Sequence, residues 1–199
     1  MNGGPARPGW VYRLSWCALE PATRLLRGIE AEGEENIPLA GRVILAVNHR
    51  SWLDPPLVSL VAYRRRFPRF LGKAELFAVP GLGWFLRQIG VIPLDRSRGD
   101  IGAIRQAMAV LEAGGCMILF PEGTRSKTGE PGRPKAGVGL LARESGAPVV
   151  PARVRNTERL LSTEPLRIRF GAPLRYEGGS DRRACQEFAE RVMEEIWRL

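Results

Sequence analysis

The chain has a single histidine in its 199 residues, His49, and an aspartate, Asp54, stands five positions later. Between them lie Arg50-Ser51-Trp52-Leu53, and Pro55-Pro56 follows. An imidazole with a carboxylate partner is the usual general base near neutral pH. Five residues along an ideal helix turn roughly 500°, so the two side chains cannot share one face of a continuous helix. A bend must bring them together. The apolar run Val43-Ile44-Leu45-Ala46-Val47 reads as a buried strand that delivers His49 to its C-terminal end. A strand-to-helix turn supplies the bend, and open α/β sheets gather reactive groups beyond the carboxyl ends of strands. Plainer readings stand beside this one. Asp54 can be an N-cap with Pro55 at N1, Ser51 and Asp54 a capping-box-like pair, and His49 a satisfied core histidine.

A second set of reactive residues follows the apolar run Cys116-Met117-Ile118-Leu119-Phe120. In Glu122-Gly123-Thr124-Arg125-Ser126, the glycine lets backbone approach a ligand closely. Arg125 can grip a phosphate with its planar fork. Glu122 can accept from a substrate hydroxyl or hold the arginine. The stretch is not a Walker A loop, because Lys127-Thr128 lacks the glycine spacing. A surface turn with an ion pair is the alternative. A third set, Asp95-Arg96, ends the strand Gly90-Val91-Ile92-Pro93-Leu94.

The elements that must position these groups alternate. Further strands are predicted at 70–72, 148–154 and 166–170, and helices at about 55–63, 136–145 and 181–198. Another helix follows Arg96, with Ile101, Ile104, Met108 and Leu111 as its inner stripe and Gly114 as its stop. The last helix turns Cys185, Phe188, Val192 and Ile196 inward, capped by Ser180 or Asp181. Alternation of this kind predicts one α/β domain, a mostly parallel central sheet flanked by helices. Residues 30–41 read as a polar connector. Residues 74–89 are apolar but broken by Pro80, Gly81 and Gly83. They can wall an acyl cavity, dip into lipid or form a kinked core helix.

Residues 1–29 form a separate amphipathic arm ahead of residues 30–199. Trp10, Tyr12, Leu14, Trp16, Leu25 and Leu26 are interleaved with Arg7, Arg13, Arg24 and Arg27. Glu20-Pro21 divides the arm into two short helices. Such a pattern suits a membrane interface or an arm packed on the core.

Net charge is +9, from 30 Lys+Arg against 21 Asp+Glu. That favours anionic partners, either nucleic acid, a phosphate-bearing substrate or an anionic membrane surface. No nucleic-acid module pattern is present, and aromatics among the basic stretches are sparse outside the arm, so no nucleic-acid partner is expected. Cys17, Cys116 and Cys185 make no CxxC, and one histidine leaves no zinc pattern. Free thiols suit a reducing compartment. No run approaches the ~20 apolar residues of a spanning helix, and no signal peptide is expected at the N-terminus.

Read together, the blocks resemble the glycerolipid acyltransferases, whose best-known members are the 1-acyl-sn-glycerol-3-phosphate acyltransferases. His49-x4-Asp54 is similar to their first block, and Gly90-Val-Ile-Pro-Leu-Asp-Arg96 to their second. Phe120-Pro-Glu-Gly-Thr-Arg-Ser126 resembles the third almost letter for letter, and Val150-Pro151 the fourth. Glu35-Asn36-Ile37-Pro38 and Lys73-Ala-Glu-Leu76 also sit where similar segments occur. The resemblance covers about residues 30–155. Where the family often has Lys-Lys-Gly after the third block, this chain has Pro134-Lys135-Ala136-Gly137.

The resemblance implies an enzyme that moves a fatty acyl group from acyl-CoA or acyl-carrier protein to the free hydroxyl of lysophosphatidate, giving phosphatidate. His49 would be the general base and Asp54 its orienting partner. Arg96 and Arg125 would hold the acceptor's phosphate, with Glu122, Gly123 and Thr124 shaping the pocket and Lys73 and Lys135 as further binding residues. Backbone N–H groups near the first turn would meet the oxyanion. No metal or redox cofactor is implied. The implied place is the cytoplasmic face of the cell membrane, peripheral or monotopic. Acylation of another lysophospholipid or a lyso-aminolipid, or non-catalytic binding of anionic lipid, are the alternatives.

Overall fold

Strand β2, Val43–Val47, is wholly buried and lies near the middle of the sheet. Its side chains alternate between two apolar layers, as a strand covered on both faces requires. Val43, Leu45 and Val47 face one core with Leu57, Val58 and Val61 of helix α2 (Asp54–Ala62). Ile44 and Ala46 face the other core. There they meet Leu111 of α4 (Ile101–Glu112), Leu141 of α5 (Gly137–Ser145) and Val192 and Ile196 of α6 (Arg182–Arg198). The computed structural model describes residues 8–95, 101–126, 130–159 and 162–199.

Among these residues the sheet has seven strands. The others are β1 (Ile29–Glu32), β3 (Pro68–Lys73), β4 (Val91–Leu94), β5 (Cys116–Leu119), β6 (Val149–Arg155) and β7 (Leu166–Phe170). Their order is β1-β7-β6-β2-β5-β3-β4. Only the β6–β7 pairing is antiparallel, and the rest are parallel. The expected α/β architecture with a mostly parallel sheet is therefore present. Helix α6 begins at Asp181, whose carboxylate accepts from Ala184 N–H at 2.7 Å, and it buries Cys185, Phe188, Val192 and Ile196 as predicted.

Three local expectations are corrected. The first concerns the arm, where α1 runs unbroken from Trp10 to Arg27 with Pro21 inside. Proline removes one helical hydrogen bond, but contacts on both sides of it hold this helix straight through. Tyr12 OH donates to Ser59 O at 3.3 Å and Trp16 Nε1–H to Leu60 O at 2.8 Å, both on α2. Glu20 pairs with Arg24 and, at 2.6 Å, with Arg64, and Arg27 donates to the carbonyls of Arg159, Asn156 and Glu164.

The second correction is the polar connector, which contains strand β1 and a 3-10 turn at Glu34–Asn36. Ile29 and Ala31 pack on the core, while Glu30 and Glu32 sit in register with Arg167 and Arg169 of β7 and pair with them at 2.7 Å. Gly33 ends the strand at φ 73, where a Cβ would lie 2.0 Å from the Phe170 carbonyl oxygen. The third is the inner stripe of α4. Ala103, Ala107 and Leu111 are buried, whereas Ile101 and Ile104 are exposed. Small residues let α4 lie close to the sheet, and size alone misleads about which face is inside.

Helices α5 and α6 also meet through a small residue. A Cβ on Gly139 would stand 2.1 Å from the Cys185 carbonyl oxygen. Propensity favours Gly139→Ala by up to ~1 kcal/mol, but the clash must push two packed helices apart. We expect a net loss of about 1–3 kcal/mol, read as a lower urea midpoint at unchanged slope. A stabilised variant would show that the interface yields.

Candidate active site

The site is built where β2 and β5 end side by side. Ala46 and Leu119 are paired in register, so His49 and Glu122 each lie three residues beyond the pair. Asn48 makes the transition out of β2. It is buried, its Nδ2–H donates to Val154 O at 3.0 Å, and its Oδ1 accepts from Val154 N–H at 2.7 Å. A side chain thus extends the β2–β6 pairing by one step. Next, His49 N–H donates to Glu122 Oε1 at 3.1 Å, and His49 O accepts from Ser126 N–H at 2.8 Å. The imidazole stacks on Phe120, with centroids 4.2 Å apart and planes at 26°. Backbone and ring are both held before any substrate contact is considered.

Asp54 closes the turn. One oxygen, Oδ2, lies 2.8 Å from His49 Nδ1 and accepts from Arg50 N–H at 2.6 Å and Ser51 N–H at 2.7 Å. With the Nδ1 proton assigned to that contact, Nε2 carries the free lone pair. Asp54 is the first residue of α2, and Leu53 occupies the cap position. The expected N-cap is therefore corrected, because the carboxylate reaches back into the loop instead of forward onto helical N–H groups. The required bend sits between His49 and Asp54. The neighbouring Arg50 is paired with Glu158 at 3.1 Å.

His49 lines a cavity of about 880 Å³. Its polar lining includes Lys73, Thr124 and Arg125. Its apolar lining comes from Tyr12 and Trp16 of α1, Leu60 of α2, Phe70 and Leu71 of β3, and Phe85 and Leu86 of α3 (Leu82–Gln88). Volume and composition suit an apolar ligand with a few fixed polar contacts. Within 74–89, Leu76, Phe85 and Leu86 line the cavity, while Val79, Leu82 and Trp84 are exposed.

The predicted binding residues divide. Lys73, Thr124 and Arg125 share the cavity with His49. Arg96 lies outside the described residues. Glu122 and Gly123 stand behind the wall. Glu122 is buried against the His49 backbone. Burial pushes its carboxyl above the ordinary value, and the His49 N–H bond pulls partly back. Gly123 has φ 70, and a Cβ there would lie 2.9 Å from Lys135 Cε. Lys135 is exposed on a separate groove with Arg133, Arg182 and Arg183. Of the backbone N–H groups near the first turn, those of residues 49, 50 and 51 are taken by the two carboxylates. Asn48, Phe120 and Trp52 were not singled out from sequence. Trp52 lies under Arg125, whose Cζ is 4.2 Å from the ring centroid. Residue type and spacing carry no signal for such contacts between separate turns.

A family model described as Acyltransferase matches residues 28–155. The chain belongs to the acyltransferase family. The matched stretch begins where α1 ends and closes with β6, so it contains every turn described above. A chloroplastic 1-acyl-sn-glycerol-3-phosphate acyltransferase of Arabidopsis thaliana is 35% identical over 138 residues, covering 68% of this chain and 38% of that protein. The Brassica napus relative, also chloroplastic, is 33% identical over 67% of this chain and 39% of its own length. The chain thus spans about two fifths of these plant relatives. The Bacillus subtilis 1-acyl-sn-glycerol-3-phosphate acyltransferase is 27% identical over 82% of both chains. Among solved structures, the 1-acyl-sn-glycerophosphate acyltransferase PlsC of Thermotoga maritima aligns with a TM-score of 0.74 at 26% identity. That alignment covers 94% of this chain and 78% of the other.

Glu122→Gln tests what the buried carboxyl does. A glutamine keeps an oxygen for the His49 N–H and removes the charge. Because burial raises the folded-state pKa, the carboxyl's favourable contribution is full at low pH and is lost as pH rises through the folded value. The glutamine variant should therefore gain stability relative to the parent as pH is raised from the carboxylate range towards neutrality. Thermal melts between about pH 4 and pH 8 read this difference. A difference that shrinks with rising pH would mean that the ionised form is the one the fold prefers.

Proposed function

We propose that this chain transfers a fatty acyl group from acyl-CoA or acyl-carrier protein to the free hydroxyl of lysophosphatidate, giving phosphatidate. The observation that carries the reading is His49, paired with Asp54, on an apolar cavity that also holds Lys73 and Arg125, two cations with no acid partner among the described residues. Family membership and the names of the relatives support the acceptor. His49 Nε2 removes the proton from the glycerol hydroxyl, and the oxygen attacks the thioester carbonyl. Asp54 fixes the tautomer and stabilises the imidazolium. Collapse of the tetrahedral intermediate expels the thiolate, which takes a proton and leaves as the free thiol. With the neighbouring N–H groups occupied, the developing oxyanion is met by cavity side chains, and Lys73 has no acid partner among the described residues. Arg125 holds the acceptor's phosphate. Arg96 belongs to the same proposed phosphate site. Thr124 lines the pocket beside Arg125. Glu122 and Gly123 shape it from behind, and Lys135 braces Gly123. The proposed chemistry calls on no metal or redox cofactor.

The same reading places the protein on the cytoplasmic face of the cell membrane, peripheral or monotopic. Among the described residues no helix is long and apolar enough to cross a membrane. Helix α1 buries Val11 and Tyr12 against the domain and exposes Trp10, Leu14, Leu25 and Leu26. Arginines flank that exposed face, the composition of a helix lying in an anionic interface. Trp16 and Leu19 of the same helix line the cavity, so a lipid acceptor held at this helix is already near the site. Cys17, Cys116 and Cys185 are free thiols, in keeping with a reducing compartment.

His49→Ala should lower kcat by about 10²–10⁴ with the melting temperature nearly unchanged. Asp54→Asn should be severely impaired too, since an amide favours the wrong tautomer. A panel of lyso-lipids with labelled acyl thioesters, read by product mass, tests the acceptor. Turnover confined to another lyso-lipid overturns the lysophosphatidate assignment, and near-parental activity of His49→Ala overturns the mechanism.

Replacing Leu25 and Leu26 by serine should weaken flotation with anionic vesicles at least about tenfold, given the apolar area each leucine would bury. Catalysis on a soluble short-chain acceptor should survive. Equal flotation of variant and parent would remove α1 as the membrane contact.

A further inference from the structure

Arg125 and Trp52 come from different turns, and the guanidinium lies over the indole ring. The guanidinium carbon lies 4.2 Å from the indole centroid. A ring on one side of the guanidinium cannot use up its five N–H donors. Its N–H donors lie in the plane of the group and remain available. A carboxylate partner would occupy two of them and cancel the charge. Among the described residues Arg125 has no such partner, whereas Arg50, on the same cavity, is paired with Glu158 at 3.1 Å.

Trp52 also stands between His49 and Asp54. That loop is held by the Arg50 and Ser51 N–H bonds to Asp54, and Ser126 N–H reaches back to His49 O. The indole therefore has a set position relative to the imidazole. Trp52 is 58% exposed, so filling a core is not its task.

We propose that Trp52 is a positioning residue for Arg125. Its indole face presents the guanidinium fork, free of acid partners among the described residues, at a set distance from His49, so that an acceptor's phosphate and its hydroxyl are engaged together. Trp52 then determines discrimination between phosphate-bearing and phosphate-free acceptors. The inference rests on the reading of Arg125 as the phosphate ligand.

The test uses the full chain, a soluble short-chain lysophosphatidate and the matching short-chain monoacylglycerol. Trp52→Leu should raise KM for the phosphate-bearing acceptor about two- to fivefold, the scale of an exposed cation–π contact, with little change in donor KM. Trp52→Phe, which keeps a ring, should recover much of the loss, and it replaces the leucine variant if that protein fails to fold. Preference for the phosphate-bearing acceptor should shrink in the leucine variant. In an Arg125→Ala background the leucine substitution should add nothing. If it raises KM equally there, or equally for the monoacylglycerol, Trp52 acts on lipid contact or on the fold and the inference is overturned. If Arg125→Ala alone leaves acceptor KM unchanged, the reading of Arg125 falls, and this proposal falls with it.

Discussion

One carboxylate oxygen, Asp54 Oδ2, receives the His49 ring and two backbone N–H groups. A carboxylate taken out of water must be met by donors, or its burial is very costly. Here the donors are the loop itself. The carboxylate oxygen that would orient a general base is therefore also the one that folds the turn. Glu122 repeats the logic from the neighbouring strand by accepting the His49 N–H. Both contacts need β2 and β5 to be parallel and adjacent, because the register pair Ala46–Leu119 places His49 and Glu122 at equal distances beyond the strand ends. Sheet order is in this sense part of the site.

The apolar side of the cavity answers to a different requirement. Its wall is shared by helices α1, α2 and α3 and by strand β3 of the sheet itself. Helix α1 contributes by being amphipathic twice over. Tyr12 and Trp16 dock it onto α2 through ring contacts with Tyr63 and hydrogen bonds to α2 carbonyls. Leu14 and Leu25 stay outside. The two readings of the arm, packed on the core or laid on a membrane, therefore apply to different faces of one helix.

Strand and helix order were legible because buried parallel strands are short continuous apolar runs, and β2 and β5 are both of that kind. Strand β1 was not, since its Ile29-Glu30-Ala31-Glu32 alternation is brief and its partner β7 is more than a hundred residues away. On α4 the size of Ile101 and Ile104 points to the wrong face at the helix start, because Ala103 and Ala107 join Leu111 in the buried stripe. At the site, His49, Asp54 and Arg125 could be picked out by residue type and spacing. The inward turn of Glu122 could not, because a glutamate beside an arginine reads equally well as a ligand, a partner or a brace. Only the register of β2 with β5 decides it.

A basic chain need not present its charge evenly. The cluster Arg64-Arg65-Arg66 looks like an anion patch in sequence, yet Arg64 pairs with Glu20 and Glu34, and Arg66 is buried with its guanidinium on the carbonyls of Pro38, Gly41 and Gly114. Arg167 and Arg169 are matched across the β1–β7 ladder. Cations spent in this way hold backbone together and contribute little field outside it. Lys73 and Arg125 differ, because they line an apolar cavity and lack acid partners among the described residues. Low-dielectric walls concentrate the field of such groups. The net charge of the chain is therefore a poor guide to where its cations lack acid partners.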